Sequence, residues 1–486
     1  MLFNSFSFLV FFPLVTLLYF ISPYKYRWHI LLVASCIFYM AFIPYYILIL
    51  GGTIVIDFFA GIFIENATEQ NQKKQFLVIT LVGNIGVLAV FKYYNFFIDN
   101  ISEVIAYFGF SSPLRYLSII LPIGLSFHTF QAMSYAIEVY RGGQPAERNF
   151  IKYSLYVMFF PQLVAGPIER PQSLLPQFSL NYDVNYERIV AGLKQMLWGF
   201  FKKIVIADRL AALVKQGYGD IENHDGFSLL IFTYLFSFQI YCDFSGYSDI
   251  AIGAAKVLGI NLRENFRTPY FSKSIKEFWQ RWHMSLSTWF RDYLYIPLGG
   301  KKVGRGRWFF NLSIVFLISG LWHGANWTFI VWGALHCSYL IFGYFLKRNF
   351  GWVFISVEKQ RNTLQYYLLS GAKIFITFNL VAFAWIFFRA TSMDEAFSII
   401  VKIFTLEDFD KFSNLSLFKI SDIASVFVML GLLGLFLASD SFMDKLLKQQ
   451  KIIKSKFLNY ALFACVLAFI LLFGHFSDTN FIYFQF

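Results

Sequence analysis

Residues 319–336 read SGLWHGANWTFIVWGALH. Three tryptophans fall within these eighteen residues, together with two histidines, one asparagine and three glycines. A polar side chain held in hydrocarbon is costly unless it is paired, hydrated or in use. The apolar setting therefore implies a membrane interior, and the polar residues imply a site inside it.

Composition extends that reading to the whole chain. Of 486 residues, 57% are hydrophobic and only 14% are charged. Apolar runs lie at 6–23, 28–50, 76–98, 309–322, 326–346, 366–388, 423–439 and 459–474, with less clear segments at 52–64, 116–136, 153–168, 193–206 and 227–260. A spanning helix needs about 20 apolar residues, so the pattern predicts an all-α polytopic membrane protein with roughly 11–14 spanning and re-entrant helices. The opening MLFNSFSFLVFFPLV lacks a basic n-region and a small-residue cleavage site, and is read as the first retained span. No internal repeat stands out. Cys36, Cys242, Cys337 and Cys465 are widely spaced and suggest neither a zinc knuckle nor a disulfide framework.

The net charge of +12 is read as the positive-inside bias of a membrane protein and not as a nucleic-acid surface. Within 262–307, ten basic residues stand against three acidic ones, interleaved with Phe, Trp and Tyr. That segment is expected on the cytoplasmic side, lying in the interface as amphipathic helices. Lys445, Lys448, Lys451, Lys454 and Lys456 form a second basic group, and the run after it leads outward, placing SDTNFIYFQF outside.

On a continuous helix, His323 shares a face with Ser319, Trp327 and Ile330, and His336 lies about 140° round and about 20 Å along. The two histidines then share a site only if the helix breaks. A lone intramembrane histidine commonly ties helices together. For His323, flanking Gly320 and Gly324 and nearby Asn326 favour chemistry, because glycines admit another backbone or a substrate. His336 has no such clearing, and the tie is preferred. His283, in EFWQRWHMSLSTWF, shares a predicted helical face with Trp279, Ser287 and Phe290. An interfacial histidine among belt aromatics is the alternative there.

Further polar candidates are His128, Gln131 and Tyr135, at i, i+3 and i+7 of one face, and Asp243 and Asp249 in an apolar setting near Gly246, a credible helix break. The two acids lie about 240° apart on a helix and do not form a dyad. In FPQLVAGPIERP, Gly166 and Pro167 interrupt an apolar run as a re-entrant loop does. Walker A, G-x-S-x-G and HExxH patterns are absent, which leaves histidine as the best available chemistry and calls for no metal.

YCDFSGYSDIAIGAAKVLGINLRENFRTPYFSKSIKEFWQRWHMSLSTWFRDYLYIPLGG at 241–300, followed by SGLWHGANWTFIVWGALH, resembles the membrane-bound O-acyltransferase (MBOAT) family, in its bacterial branch of alginate and peptidoglycan O-acetyltransferases. FPQLVAGPIERP and the terminal FIYFQF are similar to the same branch, so the resemblance covers nearly all of 1–486, a single membrane-embedded acyltransferase domain. It implies helices around a central pore that narrows at a catalytic histidine, here His323 of WHG, with His283 of RWHMSLS as the second catalytic group. Asn326, Trp322 and Ser287 are the supporting candidates. His128, Gln131, Tyr135, Asp243, Asp249 and His336 are further polar lining.

The implied reaction moves acetyl from cytoplasmic acetyl-CoA to a hydroxyl of an extracytoplasmic polysaccharide or peptidoglycan. His323 takes the hydroxyl proton, and His283, with Asn326, orients or stabilises the acyl carbonyl. Arg281, Arg291, Lys301 and Lys302 would attract the donor's phosphates. The implied setting is the lipid bilayer of the cytoplasmic (inner) membrane, with a periplasmic SGNH-type transferase as a partner that completes the transfer. D-alanyl transfer from a carrier-protein thioester stands as the alternative within the family. A transporter with a His/Asp relay is the alternative outside it, and a scaffold is the plainest reading.

Overall fold

The computed structural model describes residues 1–118, 122, 124–164, 166–358, 363–405, 420–449, 455–476 and 481–482. Among them, every regular element is a helix. Six are long and apolar enough to cross a membrane: Tyr46–Asn66, Gln70–Tyr107, Gly226–Val257, Trp327–Asn349, Leu364–Arg389 and Lys456–Phe473. Shorter apolar pieces such as Phe6–Ile21 accompany them. Lys451, Lys454 and all of the terminal segment except Phe481 and Ile482 lie outside the described residues.

The chain forms two compact units. The first holds 1–199 and 247–263. In it, Tyr46–Asn66, Gln70–Leu88 and Leu125–Arg141 pack on one another. The run expected at 28–50 is divided, since a helix ends at Met40 and the next begins at Tyr46. Pro44 accounts for the division: it lacks an N–H and keeps the residue before it out of helical geometry. At 153–168 the helices Phe150–Met158 and Phe160–Leu163 give way to a turn in which Gly166 N–H donates to Gln162 O at 3.0 Å.

The second unit holds 200–246 and 264–482. Gly226–Val257 runs unbroken through Gly246, so the expected break there is absent. A mid-helix glycine costs only about 1 kcal/mol, and 78% of the most apolar window of this helix is buried.

The basic segment, expected as amphipathic helices, contains the short helices Ile275–Trp279 and Met284–Phe290, separated by a break. Phe278, Trp282, Leu286 and Trp289 are buried in protein.

Arg305–His323 and Trp327–Glu358 pack together as a helical hairpin. Its glycines explain the fit. A Cβ on Gly320 would overlap the Phe329 carbonyl, and one on Gly333 would overlap the Phe316 carbonyl. Gly320 therefore serves the approach of another backbone. Replacing Gly320 by alanine is expected to destabilise the protein by about 1–3 kcal/mol through overpacking. Gly306→Ala, in open space on the same helix, should leave stability unchanged or slightly raised. Thermal unfolding in detergent compares them, and equal shifts would remove the close-approach explanation.

Candidate functional site

The chain leaves its helix at His323. Gly324 is extended, with φ −159° and ψ 147°, and its Cα faces the Phe329 ring so closely that any Cβ would collide. Asn326 starts the next helix. Its Oδ1 accepts Thr328 N–H at 3.0 Å and its Nδ2 donates to Thr391 O at 2.8 Å. Asparagine is favoured at such a cap because its side chain satisfies an otherwise orphaned N–H. Both ends of the Asn326 amide are thus engaged in shaping the turn.

The break voids the continuous-helix geometry. His323 does not share a helix face with Trp327, and it is brought to the same indole as His336: Trp332 lies 5.0 Å from each imidazole, ring centre to ring centre. His323 is only 4% exposed. Trp322 at 4.9 Å and Phe388 at 5.3 Å close further sides of its ring. His336 stacks at 6.2 Å on Phe278 and meets Trp279 edge-on at 5.0 Å. Trp385 lies over Trp332 and beside Trp282, and its indole N–H donates to Tyr270 Oη at 3.2 Å. Aromatic rings thus surround both histidines with a largely apolar wall.

His283 reaches this enclosure from the broken basic segment. It lies between the two short helices with φ +42°, a left-handed conformation uncommon outside glycine. The regular face proposed for Trp279, His283, Ser287 and Phe290 is therefore interrupted at His283. Ser287 Oγ donates to the Trp282 carbonyl across the break at 3.4 Å. Two backbone bonds pin the turn, Met284 N–H to Asn265 O and Arg267 N–H to Arg281 O, both 2.9 Å. His283 is fully buried, 4.6 Å from Phe244 and 6.4 Å from Trp322. Trp322 accordingly has His283 on one side and His323 on another. Imidazole is the side-chain group suited to proton transfer, so the two rings around one indole are candidates for acid–base chemistry in an apolar enclosure.

The other candidates have different surroundings. His128, Gln131, Tyr135 and Asp249 belong to the first unit. There His128 Nε2 is 3.3 Å from Thr53 Oγ1, Gln131 donates to Tyr156 O, Tyr135 Oη accepts Glu147 N–H at 2.9 Å, and Asp249 accepts from Gln195 at 3.1 Å. Asp243 lies in the second unit and pairs with Lys203 at 2.7 Å. Of the basic candidates, Arg281 is bonded to Glu277 at 2.6 Å and Arg291 to Asp292 at 2.7 Å, while Lys301 and Lys302 are exposed. Among the described residues, no three His, Cys, Asp or Glu side chains are grouped to hold a metal.

Sequence reading missed Asn265 and Lys203. Asn265 sits among charges in RENFR and reads as solvated loop. Lys203 carried a usable signal: FFKKIVIAD sets lysines inside an apolar run, and a buried ammonium demands an acidic partner.

Comparison with known proteins gives concordant results. Residues 138–366 match the model of MBOAT, the membrane-bound O-acyltransferase family. The chain is 37% identical over 442 residues to the probable alginate O-acetylase AlgI of Pseudomonas aeruginosa, covering 90% of this chain and 82% of that one. It is 35% identical over 400 residues to the peptidoglycan O-acetyltransferase of Helicobacter pylori, covering 76% and 72% respectively. Similarity to the teichoic acid D-alanyltransferase of Bacillus subtilis is lower, 27% over 276 residues, covering 55% of this chain and 68% of that one.

Proposed function

The chain belongs to the membrane-bound O-acyltransferase family, a multi-pass membrane acyltransferase, and from that premise we propose that it carries acetyl from cytoplasmic acetyl-CoA to a hydroxyl of an extracytoplasmic polysaccharide or peptidoglycan. The observation that carries the proposal is the pair of buried imidazoles, His323 and His283, around Trp322. The names of the 35–37% identical relatives support acetyl as the group transferred.

In this reading the acetyl thioester lies with its carbonyl at Trp322 and His323. The acceptor oxygen attacks that carbonyl carbon, the C–S bond breaks, and the hydroxyl proton passes to His323 as general base. The leaving thiolate takes that proton from His323, so the products are an acetyl ester and coenzyme A thiol, and the imidazole is neutral again. His283 is the second polar group at the reacting atoms. Exclusion of water by the aromatic wall limits hydrolysis of the thioester. Exposed Lys301 and Lys302 suit the donor's phosphates better than Arg281 and Arg291, which neighbouring carboxylates already engage. Spanning the bacterial inner membrane suits a donor and an acceptor held in different compartments, and a periplasmic SGNH-type transferase is the partner that would receive acetyl before its final destination.

The test uses inverted membrane vesicles given acetyl-CoA labelled in the acetyl group, with envelope acceptor or partner protein enclosed. Label should reach the enclosed material only in vesicles containing this protein. If none is transferred while carrier-bound D-alanine is, the donor assignment fails and the D-alanyl reading, to which the weaker Bacillus subtilis similarity points, replaces it.

A further inference from the structure

We propose that Asn265 is a positioning residue that holds His283 in its Nδ1–H tautomer, so that the ring meets the reaction with the lone pair of Nε2. This deepens the proposed function and rests on His283 being part of that site. The argument starts from a backbone group. Ser285 N–H can only donate, and it lies 3.2 Å from the terminal Asn265 atom that faces it, which must therefore be the amide oxygen. Ser285 Oγ reaches the same oxygen at 2.9 Å, and His283 Nδ1 lies 3.1 Å from it. Two lone pairs at that separation would repel, so Nδ1 carries the proton and donates it.

The arrangement is built to persist. Asn265, His283 and Ser285 are 1%, 0% and 3% exposed, which leaves little water to exchange for these bonds. The 2.9 Å backbone bond from Met284 N–H to Asn265 O holds the two segments in register. The left-handed backbone at His283, and another at Thr268 with φ +39°, show that the surroundings impose this turn against local preference.

The tautomer decides what His283 can do. With Nδ1–H committed to Asn265, the neutral ring presents an acceptor at Nε2. It can receive a polar hydrogen of the acceptor substrate, and it cannot donate to the acyl oxygen until Nε2 takes up a proton. Asn265 then also steadies the imidazolium through the same bond. The carbonyl-orienting role that the family resemblance implies for His283 is thereby narrowed: negative charge growing on the acyl oxygen has to be met by other groups or by a His283 already protonated.

The experiment is solid-state NMR of the full-length protein in lipid with labelled histidine, reading one-bond carbon–nitrogen correlations that report which ring nitrogen bears the proton. A His283→Gln spectrum identifies the His283 signal among the seven histidines. Wild type should show Nδ1–H, and Nε2–H would overturn the proposal. In the transfer assay, Asn265→Ala should lower kcat by about 10- to 100-fold, with the donor KM within about twofold. Asn265→Asp, which keeps an accepting oxygen, should restore Nδ1–H and most of kcat. Wild-type kcat in Asn265→Ala, or no rescue by Asn265→Asp, would also overturn it. If Asn265→Ala does not fold, the wild-type spectrum and Asn265→Asp still decide. A catalytically competent His323→Ala enzyme would remove the base assignment while leaving the His283 spectrum standing, so the two failures are separable.

Discussion

Replacing His323 by glutamine is expected to lower acetyl transfer by about 10²- to 10⁴-fold, the usual worth of a positioned general base. Glutamine keeps most of the volume among Trp322, Trp332 and Phe388, so this variant removes the basic nitrogen without emptying the enclosure. His323→Ala should lose as much activity and some stability besides, since a cavity replaces a ring that is 4% exposed. Donor binding should survive in both, giving a loss in kcat with little change in KM for the thioester. The measurement is initial-rate transfer in vesicles at matched amounts of folded protein. Retention of more than about a tenth of wild-type kcat by the glutamine variant would exclude His323 as the base.

The largest effect on stability is expected at Lys203. Its ammonium is 2.8 Å from Asp208 and 2.7 Å from Asp243, and all three side chains are at most 4% exposed. Asp243 also accepts the Ile482 N–H at 2.8 Å, which ties the end of the described chain to this ion cluster. Lys203→Met leaves two carboxylates buried without their cation, at a cost of about 3–5 kcal/mol. The triple variant Lys203→Met, Asp208→Asn, Asp243→Asn should regain much of that loss, because the two carboxylates that Lys203 balanced become neutral amides. Thermal unfolding in detergent reads both. A single variant as stable as wild type, or a triple variant less stable than the single one, would contradict this account.

Much of the helical architecture is legible locally. Long apolar runs announce Leu364–Arg389 and Lys456–Phe473, and Pro44 marks the division of the 28–50 run, although the run's hydropathy hides it. The WHG motif marks His323 as the candidate in the sequence, whereas its flanking glycines serve the packing against Phe329. Periodicity fails where the chain breaks within an apolar run. Three residues, Gly324 to Asn326, join the runs at 309–322 and 326–346 as a hairpin and void the continuous-helix placement of the two histidines, and an intact helix at Gly246 shows that glycine alone does not signal a break.

Membrane class, family and two histidines worth testing are legible in the chain alone, because they depend on composition and on residues adjacent in it. Which side chains meet depends on packing. Asn265 reaches His283 across eighteen positions, Lys203 reaches Asp243 from another helix, and Trp332 stands between His323 and His336. Helical periodicity reports only the faces of one segment. Hydrogen bonds and ring contacts between distant segments depend on how those faces pack, which no single stretch of sequence contains.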